Sequence, residues 1–157
     1  RIDADGSPIL LEDQDRSRWD RNLIRVAQQW LSRSRCDTVS RFHIEAAIAL
    51  QHCTADSVET TDWPTIVRLY DRLTAVNDSP LYVLNRAIAL GQSGDTSAAL
   101  EQLESIRECR ELSDYFFLDC AFARLHELEG NSSDAIDYYL AALSRSTANV
   151  SCNMLCS

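Results

Sequence analysis

The sequence predicts an all-α protein in which antiparallel helix pairs stack as a short right-handed solenoid of about seven helices. Three observations carry this prediction. Only four Gly and three Pro occur in 157 residues, which are too few for the turns of a domain with many short strands. Apolar side chains recur at helical spacing from Trp19 to Leu143. The last helices also repeat at a fixed interval, which is typical of helical arrays.

The first three helices are predicted from apolar spacing and capping residues. Ser40 precedes the second helix, whose stripe runs through Ile44 and Ile48 to His52. Asp62 is the predicted cap of the third helix. The first helix carries the widest predicted inward stripe: Trp19, Leu23, Val26, Ala27, Trp30 and Leu31.

Local stop and start signals define the remaining four helices. Ser79-Pro80 begins the fourth helix, and Gly94-Asp95 ends it and caps the fifth. Ser113 is the predicted start of the sixth helix, and Gly130 is its end. The seventh helix is expected to face inward with Ala135, Ile136, Tyr139, Leu140 and Leu143.

A repeat of 36 residues relates the last two helix pairs. Gly94-Asp95 matches Gly130-Asn131, and Ala99-Leu100 matches Ala135-Ile136. The interval is close to the tetratricopeptide period of roughly 34 residues. Each pair in such an array buries its apolar face only against its neighbours, so the concave side of the stack is the expected binding surface.

Charge, apolar runs and cysteine spacing exclude several classes of protein. Residues 51–157 hold seven Arg and sixteen acidic residues, and this net charge of −9 would repel nucleic-acid phosphates. No uncharged apolar run approaches a membrane span and no signal segment opens the chain, so we expect a cytoplasmic protein without membrane contact. The six cysteines form no C-x-x-C pair, so we expect free thiols, no metal and no cofactor.

The densest polar cluster, residues 12–20, has two interpretations. Arg and acidic side chains beside Trp19 could form a buried Arg–carboxylate network. They could instead cap helix starts, with Arg16 and Asp20 as an i, i+4 pair. A third hypothesis, an enzyme or metal site using Asp13, Asp15 and a histidine, is weaker because the spacing is not that of a calcium-binding EF-hand loop.

Two further sites have open alternatives. His52 continues an apolar stripe, so we expect it to face other helices with a satisfied ring nitrogen, rather than to bind a ligand. Asn85 and Arg86 lie in mid-helix, where they are either a solvated pair or a clamp for the carboxylates of a bound peptide. No nucleophile elbow or Gly-rich phosphate loop is present, and we therefore expect no enzymatic activity.

A set of motifs, in order along the chain, resembles one known protein family. It comprises D-Q-D-R-S-x-W-D at 13–20, Glu45–Ala49 leading to His52, Thr61-Asp62-Trp63, Ser79-Pro80 and L-N-R-A at 84–87. Together they resemble the C-terminal tetratricopeptide-like extension of bacterial extracytoplasmic-function RNA polymerase sigma factors. The resemblance runs from about Leu10 to Leu143.

The resemblance implies a regulatory, protein-binding module of a longer protein whose sigma regions lie upstream. Its expected partners are the sigma core and RNA polymerase, or another regulatory protein. The alternative is a free-standing tetratricopeptide adaptor that binds a peptide in its concave groove. The expected partner-binding or interdomain residues are Asp13, Gln14, Asp15, Arg16, Trp19, Asp20, His52, Trp63, Asn85 and Arg86.

The predicted organisation is one helical domain, 1–157. It comprises an irregular lead-in at 1–12, family-specific helices at 13–93, tetratricopeptide-like repeats at 94–146 and a tail at 147–157. The tail departs from the family, since it carries no charge where the family has a charged, Arg-containing last helix. An altered final cap could leave an apolar end open to a partner.

Overall fold

The computed structural model describes residues 14–34 and 39–155, and it describes side chains as far as residue 146. The predicted lead-in, together with Asp13, lies outside the described residues. The chain divides into two compact units, Arg1–Leu69 and Tyr70–Ser157. We call these unit 1 and unit 2.

The described residues contain seven α-helices and two short 3-10 turns, joined by loops, and no strand occurs among them. The all-α prediction is therefore confirmed, with consecutive helices packed on each other within each unit. The 3-10 turns are Arg16–Arg18 and Arg110–Leu112. The helices are α1 (Arg21–Arg33), α2 (Arg41–Thr54), α3 (Trp63–Val76), α4 (Pro80–Gln92), α5 (Thr96–Ile106), α6 (Phe116–Leu128) and α7 (Ser132–Leu155).

Unit 1 contains the pair α1 and α2 and the start of α3. Ile44 and Ile48 are buried in α2, as predicted, and Ile66 is buried in α3. The predicted inward stripe of the first helix is confirmed only at Trp19, which precedes α1 and is buried; it is wrong at Leu23, Val26 and Trp30, which are exposed. The apolar arc of α1 is wide, and α2 covers only one side of it, so no residue within α1 is buried.

Unit 2 shows the predicted repeat. Helix α6 begins 36 residues after α4, and α7 begins 36 residues after α5. Gly94 and Gly130 end their helices with φ of 101° and 78°, a backbone region that favours glycine. The Asp95 carboxylate accepts a hydrogen bond from the Ala98 N–H and so caps α5, as predicted.

The predicted start of α6 at Ser113 is wrong. Ser113 follows a 3-10 turn that buries Leu112, and the helix begins at Phe116. Two aromatic side chains near this start, Tyr115 and Phe117, are exposed, whereas Phe122 lies in the core. The remaining buried members of that core come from four elements: Leu84, Ala87, Ala99, Leu103, Ile106, Leu112, Leu118, Ala121 and Leu125.

Helix α7 faces its unit with a side that shares only Ala135 with the predicted one. Ala135 and Ala142 are buried, and the ring of Tyr138 stacks on Phe122 with 4.9 Å between centroids. Arg145 forms an ion pair of 2.9 Å with Asp119 of α6, which fixes the same rotation. The other residues of the predicted inward side are exposed: Ile136, Tyr139, Leu140 and Leu143.

Candidate functional site

The D-Q-D-R-S-x-W-D string is centred on a buried arginine. Only 3% of Arg16 is exposed. Its Nη1 lies 3.1 Å from the carbonyl oxygen of His52, 3.4 Å from that of Ala55 and 3.0 Å from that of Ser57. The Thr61 hydroxyl oxygen lies 3.3 Å from the same nitrogen. Because Nη1 carries only two N–H groups, it shares them among these four acceptors.

This contact caps the C-terminus of α2 from a position 36 residues earlier in the chain. The last four carbonyl groups of a helix have no partner within the helix, and the helix dipole places partial negative charge there. The Arg16 guanidinium supplies both hydrogen-bond donors and positive charge at that end. Arg16 therefore fastens the polar string to α2 and to the loop that leads into α3.

Two aspartates hold the backbone on either side of Arg16. The Asp15 carboxylate accepts hydrogen bonds from the backbone N–H and the hydroxyl of Ser17, and these bonds lower the pKa of Asp15. The Asp20 carboxylate accepts from the N–H groups of Asn22 and Leu23 and so caps α1. The capping interpretation of this string is therefore correct for both aspartates.

The expected Arg16–Asp20 ion pair is wrong. The guanidinium of Arg16 turns to backbone carbonyls of unit 1 and forms no ion pair with Asp20. Trp19 is 8% exposed, and its ring centroid lies 5.4 Å from the Arg16 guanidinium carbon, within the range of a cation–π interaction. Gln14, the first described residue, is half-buried.

His52 and Trp63 form the neighbouring part of the site. Their rings meet edge to face with 5.4 Å between centroids, and the Trp63 Nε1 donates a hydrogen bond to the Val58 carbonyl at 3.0 Å. His52 is half-buried and faces α3, as its stripe predicted. The expected satisfaction of its ring is wrong at Nδ1, which is buried without a hydrogen-bond partner among the described residues.

The electrostatic surroundings of His52 favour the neutral imidazole. Burial lowers the pKa of His52 below its usual value of 6.5, and the positive charge of Arg16 lowers it further. A protonated ring would place a second positive charge next to the buried guanidinium. His52 is therefore suited to packing against Trp63.

Asn85 and Arg86 point to different surroundings in unit 2. Arg86 forms an ion pair with Asp71 at 2.7 Å and donates from Nη1 to the Gln102 side-chain oxygen at 3.0 Å. Asn85 is exposed and lines a cavity between α4 and α6. The predicted clamp therefore does not form as a pair, because Arg86 is engaged with neighbouring helices and only Asn85 faces the cavity.

The cavity in unit 2 has a volume of about 200 Å³ and is mostly apolar. Its walls come from one face of α4 and one face of α6. Besides Asn85, the polar side chains that reach it are those of Gln92 and Arg124. The apolar and weakly polar lining residues are Leu84, Ile88, Tyr115, Phe117, Cys120, Ala121, Leu125 and Leu128.

Two other kinds of site are absent from the described part of the chain. No group of three or more His, Cys, Asp or Glu side chains is placed to hold a metal ion there. No described helix combines the length and apolar character needed to cross a membrane.

Sequence reasoning found Arg16 but not what it binds. Its acceptors are three backbone carbonyls and the buried hydroxyl of Thr61, at separations of 36 to 45 residues. Backbone carbonyls occur at every residue and therefore leave no compositional signal. The signal in the sequence is an Arg between two capping aspartates, next to the Trp that begins the apolar stripe of the first helix.

Comparison with known proteins gives two similarities. The model of a family of unknown function (DUF6596) matches residues 1–35, which include the Arg16 string. An uncharacterized protein of Rhizobium meliloti (strain 1021) is 40% identical over 118 residues, which are 74% of this chain and 27% of that protein. The chain thus spans about a quarter of the length of this relative. No solved structure matches the chain.

Proposed function

We propose that this chain is a regulatory, protein-binding extension of an extracytoplasmic-function sigma factor, and that it modulates transcription initiation through contacts with the sigma core or RNA polymerase. The proposal assigns no reaction to the chain and no direct contact with nucleic acid. It rests on the ordered motifs, which resemble such extensions from about Leu10 to Leu143.

The observation that carries the proposal is the built role of the D-Q-D-R-S-x-W-D string. Its arginine binds carbonyl groups at the end of α2, and two of its aspartates cap the 3-10 turn and α1. A string of this kind, fixed at the start of a helical unit, supports an interaction module. The greater length of the Rhizobium relative supports a role as part of a longer protein.

The deciding experiment is transcription by the longer gene product that contains this chain. Run-off transcription with core polymerase is measured for the complete product and for a product that stops before Arg1. We expect promoter-specific transcription from the complete product and a change of at least about fivefold on truncation. An upstream region that neither binds core polymerase nor supports transcription would overturn the proposal.

A second candidate function, a tetratricopeptide adaptor, is favoured by the cavity beside Asn85. A peptide lying between α4 and α6 would meet an exposed amide on an apolar wall, which suits recognition of an extended backbone. Peptides selected for binding to the isolated chain should lose affinity in the variant Asn85→Ala. Ser97→Ala, an exposed change in α5, is the control.

A further inference from the structure

The outer side of α7 carries a continuous row of exposed apolar side chains. Ile136, Tyr139, Leu140 and Leu143 are 58%, 42%, 59% and 61% exposed. Their i, i+3, i+4 and i+7 spacing places them on one side of the helix over about 10 Å, or two turns. We call these four residues the α7 stripe. A contiguous exposed apolar surface of this kind marks an interaction site.

The 36-residue repeat shows that the stacked helices do not need two members of the α7 stripe. Leu140 and Leu143 occupy the positions that Glu104 and Arg107 occupy in α5. Those two residues of α5 are exposed, and they form an ion pair with 3.1 Å between nitrogen and oxygen. The repeat therefore accepts solvated, charged residues at positions where α7 has leucines. The leucines add apolar surface that the helix array itself does not bury.

A further repeat of the same array would cover only half of the α7 stripe. In α5, Leu103 is buried and Leu100 is partly buried in the core that α5 shares with α6, while the ion pair of α5 stays in solvent. A helix stacked on α7 in the way that α6 stacks on α5 would therefore reach the equivalent residues, Ile136 and Tyr139, and leave the two leucines exposed. An occupant of the whole stripe has to lie along α7 itself.

The α7 stripe is symmetric about its own midpoint, which lies between Tyr139 and Leu140. Ile136 and Leu143 are three and a half residues from that point on either side. When a second α7 lies antiparallel across the stripe, with a two-fold axis at the midpoint, Ile136 of each copy is opposite Leu143 of the other. At the centre, Tyr139 is opposite Leu140. Every member then meets an apolar side chain, which is the self-complementarity that a two-fold interface requires.

The charges near the α7 stripe do not oppose this pairing. Arg145 faces α6, with which it forms an ion pair, and Asp134 lies about 20° from Arg145 around the helix. The Glu127 carboxylate, which accepts a hydrogen bond from the tyrosine of the stripe, is paired with Arg124 at 2.7 Å. Asp137 is the charged residue of the described part of α7 that lies toward the edge of the stripe. A strongly basic or acidic partner would therefore gain little here, whereas a second copy meets little repulsion.

We propose that the chain forms a two-fold dimer in which α7 of one copy lies antiparallel against α7 of the other through the α7 stripe. This inference goes beyond the proposed function and does not depend on it, since it involves no sigma core, polymerase or promoter. An interface built on four side chains from each copy is small for a protein pair, so we expect a dissociation constant on the order of 10 µM.

Sedimentation of the complete 157-residue chain measures this association. A reducing agent is present throughout, because the chain has six cysteines that could form cross-links between copies. We expect monomer at about 1 µM and mostly dimer at about 200 µM. A chain that stays monomeric over this whole range would overturn the proposal.

A double variant that copies the ion pair of α5 locates the interface. Leu140→Glu with Leu143→Arg gives α7 the two residues that its repeat partner already exposes, so the helical circular dichroism spectrum should be unchanged. The dissociation constant of the dimer should rise by at least about tenfold, because charged groups replace the apolar contacts.

The matched control makes the same double change in unit 1. Leu23→Glu with Val26→Arg replaces two exposed apolar residues of α1 at the same i, i+3 spacing, and it should change the dissociation constant by less than about twofold. A dimer that the α1 variant dissociates and the α7 variant does not would assign the interface to unit 1. That result would overturn the proposal.

Two single variants test the antiparallel arrangement. Ile136→Lys and Leu143→Glu each place a charge opposite an apolar side chain at both ends of the interface, so each protein alone should dimerise at least about tenfold more weakly. In an equimolar mixture, the new lysine of one chain is opposite the new glutamate of the other, and the unchanged Ile136 and Leu143 meet at the other end. The mixture should therefore associate more tightly than either variant alone. A mixture that associates no better would overturn the proposed two-fold pairing.

Discussion

The two units keep their helices together by different means. In unit 2, ten buried apolar side chains from α4, α5, α6 and the 3-10 turn form one cluster, in which Leu103 has no exposed surface. In unit 1, no residue within α1 is buried, and the segment before α1 is held by a buried guanidinium on the end of α2. Unit 2 is a packed helical repeat. Unit 1 combines an open apolar face between α1 and α2 with a polar contact that we call the anchor, in which Arg16, beside Trp19, binds the end of α2.

This difference separates residues that stabilise the fold from residues that are left on the surface. Arg16 and Trp19 belong to the anchor and are almost fully buried. Trp30 and Phe42, which lie in the same unit and have comparable size, are left on the surface. We therefore expect substitutions in the anchor to change stability, and substitutions in the open apolar face to change it much less.

The largest expected effect compares two tryptophans of unit 1. Trp19→Ala should lower the free energy of unfolding by about 3–5 kcal/mol, because it removes a buried ring. Trp30→Ala should lower it by less than about 1 kcal/mol, because that ring is mostly exposed. Urea unfolding followed by circular dichroism measures both values. Equal losses would break the distinction between the anchor and the open apolar face.

The next effect tests the anchor itself. Arg16→Ala should cost about 2–4 kcal/mol, because it leaves the partly buried His52 carbonyl at the end of α2 without this donor and removes the positive charge at that helix end. Arg16→Lys keeps the charge but loses the planar guanidinium, so we expect an intermediate loss. Arg18→Ala, an exposed change two residues away, should cost less than about 0.5 kcal/mol. A cost for Arg16→Ala no greater than that of Arg18→Ala would mean that Arg16 does not hold the segment before α1 to the end of α2.

A third prediction tests the close packing of unit 2. A side-chain carbon added at Gly91 would collide with the Leu125 Cδ2 of α6, which is itself buried. Gly91→Ala should therefore cost about 1–3 kcal/mol despite the better helix propensity of Ala. Ser97→Ala, in an exposed part of α5, is the control and should change stability by less than about 0.5 kcal/mol. A neutral or stabilising Gly91→Ala would mean that α4 and α6 have room to separate.

Most of the fold could be predicted because its signals are local. Capping residues such as Asp62 and Asp95 act on backbone groups three residues away, so the sequence contains the whole interaction. The glycine stops at Gly94 and Gly130 are local in the same way. The 36-residue interval then followed by comparing one stretch of sequence with another.

What could not be predicted depends on contacts between distant residues. Apolar side chains occur on two sides of α7, and the pairing of Tyr138 with Phe122 and of Arg145 with Asp119 decides which side is buried. The acceptors of Arg16 lie 36 or more residues away. Neither the buried side of α7 nor the acceptors of Arg16 can be predicted from the spacing of residues along a single helix.

The smallest expected effect is a pH dependence that belongs to the anchor in unit 1. Because the pKa of His52 is lowered below 6.5 in the folded chain, the unfolded chain binds more protons just below that pH. The free energy of unfolding should therefore fall as the pH falls from 6.5 through the lowered pKa of His52.

His52→Gln removes this titration and should flatten that part of the profile. Urea unfolding at about pH 7.5 and about pH 5.5, compared between the two proteins, isolates the contribution of His52 from that of the carboxylates, which titrate at lower pH. A difference that grows in the opposite direction would mean that the protonated ring is stabilised in the fold. Arg16 would then have to lie farther from His52 than the anchor requires.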